Sequence, residues 1–330
     1  MEPDLRHLNQ QAIDQSKAYW GDVALGTVMV TGVVTLAFVA NLFAWATGLL
    51  PLWLATVLLG ALTYLAYTPL HEAAHGNIRG REVRFRWLED VCGYLAAQIT
   101  LLPHATHRIE HMAHHRHTND PERDPDYLIH RIGHGEMLRT LLRFLRHLHA
   151  HVLTAGTPRV ARRDKVRHLT EMVVGVGWRI AFLTQVPVVE GLVLLVVGYL
   201  LGVVFTVYWF AYRPHHPYTS QQRYRNTNSF VMPAWMTPVR WFWMGQDLHT
   251  IHHLFPRVPF YRYRALFRDI EPILHEQGTP VLGLFSRAPI DPDSVFTTGP
   301  TTPTIAGSAA HRSDCRVRRD HLLPGNDPSR

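Results

Sequence analysis

Between Val23 and Ala46 the chain has no charged residue, and the same holds from Leu49 to Thr68 and from Gly191 to Tyr212. At about 1.5 Å of rise per helical residue, each run is long enough to cross a hydrocarbon core of about 30 Å. Such runs cannot be spent on a water-soluble core. The first two are separated by Thr47-Gly48, so they read as a membrane hairpin, with Pro69 marking its end just before His71. A further apolar stretch, Met172 to Val189, is interrupted by Arg179 and leads through Pro187 and Glu190 into the last run. Four spans are therefore expected in an all-α integral membrane protein. Arg179 leaves two readings open, a span facing a polar interior or one that begins later.

The segments between these runs are of the opposite character. Residues 70–168 hold fifteen arginines and cannot cross a bilayer, although Val91 to Leu102 is apolar and suits a buried or interfacial segment. Leu138, Leu141, Leu142, Leu145, Leu148 and Val152 recur at helical spacing, as expected of a helix in the headgroup plane or of an amphipathic core helix. Neither short connector, 47–50 or 187–190, contains Lys or Arg. The positive-inside rule then puts both termini and the basic segments in the cytoplasm, at the plasma (inner) membrane if the chain is bacterial. A formal charge of +7 is explained by this topology, and nucleic-acid binding is not expected. Residues 1–20 lack the pattern of a cleavable signal and read as an amphipathic lead-in. Residues 1–286 form the membrane domain and 287–330, rich in Pro, Thr, Ser and Gly, a disordered tail.

Cys92 and Cys315 are the only cysteines, so a metal site must draw on the 23 histidines. Eight of these fall into three boxes. His71 and His75 stand at i, i+4; His111, His114 and His115 at i, i+3, i+4; and His249, His252 and His253 repeat that spacing. A single helical turn directs the imidazoles of a box towards one point, and all three boxes are expected just beyond the spans on one side of the membrane. Three boxes imply one shared centre. Eight imidazoles exceed what one tetrahedral zinc can use, which argues for two metals, with iron favoured by an all-histidine shell. His7, His130, His134, His147, His149, His151, His168, His275, His311 and His321 are taken as ordinary surface or core residues. A rival lies in His71-Glu72-Ala73-Ala74-His75, which matches the H-E-x-x-H pattern of zinc proteases with Glu72 as base. That reading leaves the other two boxes unexplained, so Glu72 is expected to orient a ligating imidazole instead. A metal transporter would want polar residues within the spans, which offer almost none.

The boxes resemble those of the membrane fatty-acid desaturase and hydroxylase superfamily, over about residues 20–270. Within it the chain is most similar to cyanobacterial-type β-carotene hydroxylases, through Asn119-Asp120-Pro121, Asp124-Pro125-Asp126, Pro214-His215-His216-Pro217-Tyr218 and Arg223-Tyr224-Arg225-Asn226-Thr227. The resemblance implies four spans beneath a cytosolic, histidine-rich cap, and two iron ions held by about nine histidines. His215 would be the ninth, with His216 as the alternative. It also implies O2 as co-substrate and two electrons from a separate donor such as a ferredoxin, rubredoxin or cytochrome. Asp247 departs from the Asn that relatives often carry and could alter the hydrogen bonds behind the ligands.

Such a centre acts on an unactivated C–H bond, giving an alcohol by hydroxylation or an alkene by loss of a second hydrogen. The boxes do not distinguish the two outcomes. A substrate that reaches the centre through a membrane domain should be a lipid, either a carotenoid ring or a fatty-acyl chain. Tyr208, Trp209, Phe210, Trp235, Trp241, Phe242 and Trp243 could line its path, although an interfacial aromatic belt explains most of them. No dinucleotide-binding glycine fingerprint or cysteine cluster is present, so electrons must arrive from another protein, one that the basic face would attract if it is acidic.

Overall fold

The computed structural model describes residues 5–130 and 161–286, together with 136, 139–143, 146, 147 and 150. Among these, three helices are long and apolar enough to cross a membrane: α2 (Leu25–Ala46), α3 (Leu52–His75) and α7 (Val188–His215). Their 22, 24 and 28 residues correspond to about 33, 36 and 42 Å. The packing of α2 shows the inverted amphipathicity of a helix in lipid. Leu25, Met29, Val33, Leu36 and Phe43 form an exposed apolar stripe, while Thr27, Thr31, Val34, Phe38 and Asn41 face the protein. Asn41 Nδ2 donates to the Ala55 carbonyl at 2.9 Å and ties α2 to α3.

Helices α3 and α7 approach through small residues, as packing between membrane helices favours. A Cβ added at Gly202 would lie 2.6 Å from the Gly60 carbonyl oxygen, so this crossing requires glycine. The expected stop at Pro69 is corrected: α3 runs through it and carries His71 and His75 on the same rod as the span. Pro69 removes one backbone donor, but this end of α3 is buried against α4 (Arg86–Thr100) and α5 (His104–His117), and packing holds the turn. The helix ends instead at Gly76, whose φ of 72° lets Asn77 N–H reach back to the Glu72 carbonyl. Helix α4 buries Cys92, Ala96, Ala97 and Ile99, and leaves Trp87, Val91 and Leu95 exposed, as expected of an interfacial element.

The stretch Met172–Val189 is not one unit. Helix α6 (Arg162–Leu183) starts earlier, ends before Thr184-Gln185-Val186-Pro187, and is too polar along its first half to count among the long apolar helices. Glu190, expected in the connector, lies in the first turn of α7, where a carboxylate favours the positive helix end. Arg179 faces the protein. Its guanidinium donates to the carbonyls of Gln98 (3.0 Å) and Ile99 (3.2 Å) at the end of α4 and of Gly175 (2.8 Å), and so satisfies orphan acceptors of a helix C-terminus. The other end of α6 is joined to α5: Glu171 Oε2 accepts from His104 N–H at 2.6 Å, and His168 Nδ1 lies 2.5 Å from Thr106 Oγ1.

Beyond α7 the chain folds over the ends of the spans. Helices α8 (His249–Leu254) and α9 (Tyr263–Glu276) enclose Leu248, Ile251, Leu254, Val258, Leu266 and Ile270, and α1 (Leu5–Ser16) docks on α9 through Ala12. Tyr19 hydrogen-bonds Asp269, and Tyr224 donates to Asn9 at 3.0 Å. The described residues are mostly helical, as expected of an all-α chain, with one short exception: β1 (Ser229–Val231) and β2 (Val281–Gly283) pair in parallel. The pairing satisfies extended backbone buried beneath Phe230 and Leu282. Of the stretch 138–152, Leu141 is buried and Leu142 exposed. Leu138, Leu145, Leu148 and Val152 lie outside the described residues, as do the tail 287–330 and His134, His149, His151, His311 and His321.

Candidate metal centre

Each box lies on a helix whose start or end is fixed by packing already described, and the three meet where α3, α5, α7 and α8 converge. They do not share a single focus. His71, His75, His111, His115 and His252 form one group in which ligand-capable nitrogens all lie within 4.8 Å of one another; His114, His215 and His253 form a second. His249 extends the second group, with its Nε2 3.3 Å from His215 Nε2. The expectation that a helical turn aims a whole box at one point is therefore corrected. Residues at i and i+4 lie about 40° apart around the helix and stay together, while the i+3 position, about 60° from i on the other side and about 100° from i+4, serves the other group. His111 and His115 go to the first group and His114 to the second. In the third box the roles are exchanged, with His249 and His253 in the second group and His252 in the first.

The donor chemistry fits cations. His115 Nε2 lies 3.1 Å from His111 Nε2 and 2.8 Å from His252 Nε2. Two imidazole nitrogens this close can share at most one proton between neutral rings, whereas a metal ion satisfies several lone pairs together. Both ring nitrogens of His71, together with His75 Nε2 and His253 Nε2, are buried without a hydrogen-bond partner. Buried imidazoles in this state need a ligand or an ion.

Burial, with neighbouring imidazoles adding to it, holds His111, His115, His252 and His253 well below the usual histidine range, and holds His249 down to about 3. Neutral rings with open lone pairs are the metal-binding form. His114 is the exception. Burial would lower it, but Asp124 and Asp126 raise it overall. His114 Nδ1 donates to Asp124 Oδ1 at 2.8 Å, which leaves Nε2 for the centre. His249 Nδ1 donates to Gln246 at 3.2 Å, and His252 Nδ1 meets the Tyr263 hydroxyl at 3.0 Å. Asp124 is itself anchored by the backbone N–H groups of Asn119 (2.7 Å) and Asp126 (2.9 Å), so the Asn-Asp-Pro and Asp-Pro-Asp segments support the second box.

Glu72 plays neither role expected of it. Its carboxylate accepts from Thr27 Oγ1 (3.0 Å), Asn77 Nδ2 (3.2 Å) and Phe260 N–H (3.2 Å), and joins α2, α3 and the cap without touching a histidine. On α3 it stands one residue from His71, hence about 100° away around the helix. Asp247 is buried in an ion pair with Arg264 at 2.5 Å rather than hydrogen-bonded to an imidazole.

Two further histidines extend the second box. His104 and His107 are buried on α5, with His107 stacked on His111 at 5.1 Å. The signal was present in their spacing, since His104, His107 and His111 continue the box by i+3 and i+4 towards the N-terminus. Tyr263, in contrast, is distant in sequence and carries no local mark. His107, Glu110 and His111 also face a narrow cavity of about 70 Å³ walled by Tyr67, Leu102, Val203, Val207 and Phe210. Of the aromatic residues expected along a lipid path, Phe210 lines this cavity, whereas Trp235 and Trp241 are exposed. Glu110 is pushed up to about 8, by burial first and Asp126 second.

Long apolar helices that end in a polyhistidine cluster define a multi-pass integral membrane protein with a candidate metal centre. The model of the fatty acid desaturase family matches residues 47–284, and the chain belongs to that family. It is accordingly a membrane oxidoreductase that acts on lipids. A comparison with curated proteins found no match.

Proposed function

We propose that the chain is an oxygen-dependent, non-haem di-iron hydroxylase of a membrane lipid, with a β-carotene ring as substrate. The observation that carries this reading is the apolar cavity that ends on His111, a member of the five-histidine group. His71, His75, His111, His115 and His252 would hold one iron, and His114, His215, His249 and His253 the other. When bound, the two ions with O2 supply the oxidising power for an unactivated C–H bond. The protein's part is to orient the imidazoles through Asp124, Gln246 and Tyr263, to exclude bulk water with Tyr67, Leu102 and Phe210, and to admit an apolar chain between α3 and α7. The carotenoid assignment rests on the Pro-His-His-Pro-Tyr and Arg-Tyr-Arg-Asn-Thr segments. These stand close to the centre, since Asn119 donates to the Asn226 carbonyl at 2.8 Å. A fatty-acyl desaturase is the second reading, favoured by the family description. The zinc-protease reading is opposed by Glu72, whose oxygens are engaged with α2, Asn77 and the cap.

Helix α6 completes a four-span topology in this proposal. α5 lies at the centre and α7 begins at the far side, so the chain must return between them. α6 touches α5 through His168 and Glu171, and reaches the far end of α2 where Phe182 meets Trp45 at 6.0 Å. Its exposed Val173, Val174 and Ile180 suit lipid. Both termini and the cap lie in the cytoplasm, at the plasma membrane if bacterial, where a separate ferredoxin, rubredoxin or cytochrome delivers electrons to the basic face. Expression in a host that makes β-carotene, with analysis of both pigments and fatty acids, tests the reading. Hydroxylated carotenoid is expected; new acyl unsaturation with unchanged pigment would transfer the assignment to desaturation.

A further inference from the structure

A second cavity, of about 330 Å³, lies on the cap side of the last turn of α7 and has His215 in its wall. Its lining is more polar than that of the first cavity. Asn119, Arg213, Arg225, Asn226, Thr227 and Asn228 line it, and none of its lining residues is acidic. Asn119 Oδ1, Asn226 Oδ1 and Thr227 Oγ1 are buried without a hydrogen-bond partner, and Asn119 and Thr227 are only 3% and 1% exposed. The amide orientation of Asn119 is set, because its Nδ2 donates to the carbonyls of Ser220 and Asn226, both at 2.8 Å. The open Asn119 atom is therefore an acceptor and requires a donor. An anion would be repelled by these oxygens, and a metal cation by the guanidinium groups of Arg213 and Arg225. A neutral donor remains. Buried polar atoms of this kind are satisfied by water where there is room, and the cavity is large enough to hold several molecules.

We infer that this chamber is an aqueous port, through which water reaches the His114–His215–His249–His253 group from the cap side while lipid approaches the other group from the membrane side. The inference rests on the hydroxylase reading for its purpose. Hydroxylation converts R–H, O2, two electrons and two protons into R–OH and one water, so a centre enclosed by lipid needs a path for water and protons. The last turn of α7 divides the two environments: Phe210 and Ala211 face the apolar cavity, Arg213 and His215 the polar one.

Single cysteines introduced by Thr227→Cys in the port and Val207→Cys in the apolar cavity test the division. Full-length protein in lipid nanodiscs is exposed to a charged methanethiosulfonate reagent and labelling is followed by mass spectrometry, with the parent chain giving the background from Cys92 and Cys315. Thr227→Cys should be labelled roughly tenfold faster than Val207→Cys, since a hydrated chamber admits a charged reagent and an apolar cavity does not. Should Thr227→Cys not fold, Asn226→Cys on the same wall replaces it. A folded port variant labelled no faster than Val207→Cys overturns the port. Pigment analysis of the parent chain in the β-carotene host is independent of this outcome: rapid labelling of the port variant with no hydroxylated carotenoid supports the port and overturns the hydroxylase reading, and slow labelling with hydroxylated carotenoid does the reverse.

Discussion

The five-histidine group and the four-histidine group are oriented by different means. In the first, His71, His75, His111 and His115 are set by the packing of α3 against α5, and His252 is hydrogen-bonded to Tyr263 at 3.0 Å. In the second, His114 leans on Asp124 at 2.8 Å, a residue held by the Asn119 backbone N–H, and His249 on Gln246 at 3.2 Å, in the short 3-10 turn just before α8. A group oriented by helix packing can be disturbed only by deforming the core. One oriented by polar contacts can be weakened a single hydrogen bond at a time, and the two should respond differently to mutation.

Removal of a histidine from either group should have the largest effect. His75→Ala and His114→Ala should each lower iron from about two ions to about one and reduce turnover at least about a thousandfold, because groups that act as a unit fail together. His147→Ala should retain near-normal activity and iron, and membrane abundance must be measured for each. Iron content by elemental analysis, with product formation, checks the pair. If either variant retains two ions and full turnover, that histidine is not a ligand.

An intermediate effect should separate the groups. Asp124→Asn should weaken iron binding about 10- to 100-fold at the four-histidine group alone, as loss of a partner behind a ligand does. Titration with ferrous iron should then show one normal and one weakened site. Equal weakening of both would mean that the groups are not independently oriented.

Acid should distinguish them in protein stripped of metal. His249, held down to about 3 when folded, has an unfolded value of about 6.5. The unfolded chain therefore binds more protons below about pH 6.5, and stability falls as pH drops from there towards 3. His111, His115, His252 and His253 act in the same direction. His114 acts oppositely: its raised value gives stability that is present at low pH and lost as pH rises through the folded value. Thermal unfolding of the stripped protein should show an acid-side loss that Asp124→Asn steepens; a flat profile between pH 7 and 4 would contradict the neutral, buried imidazoles.

The smallest effect on catalysis is expected at Glu72→Gln. Its partners are Thr27, Asn77 and the Phe260 backbone, so stability should fall by about 1 to 3 kcal/mol with turnover changed no more than a few-fold. A thousandfold loss at unchanged iron content would restore Glu72 as a catalytic base.

Much of this protein was legible without coordinates because its constraints are local. A charge-free run of helical length has few fates outside a bilayer, and eight histidines at i, i+3 and i+4 announce a candidate metal centre wherever the helices go. His215 was reached only through resemblance, and the His104–His107 extension of the second box was overlooked although its spacing was visible. The structure decided whatever depends on more than one element. Pro69 does not end α3, since burial against α4 and α5 outweighs one lost backbone donor. Arg179 resides beside a span because the carbonyls at the end of α4, eighty residues away in the chain, accept its hydrogen bonds. The division of nine histidines into five and four follows from how α3, α5, α7 and α8 cross, because helical periodicity fixes the angle between neighbouring imidazoles but not the position of the helix that meets them.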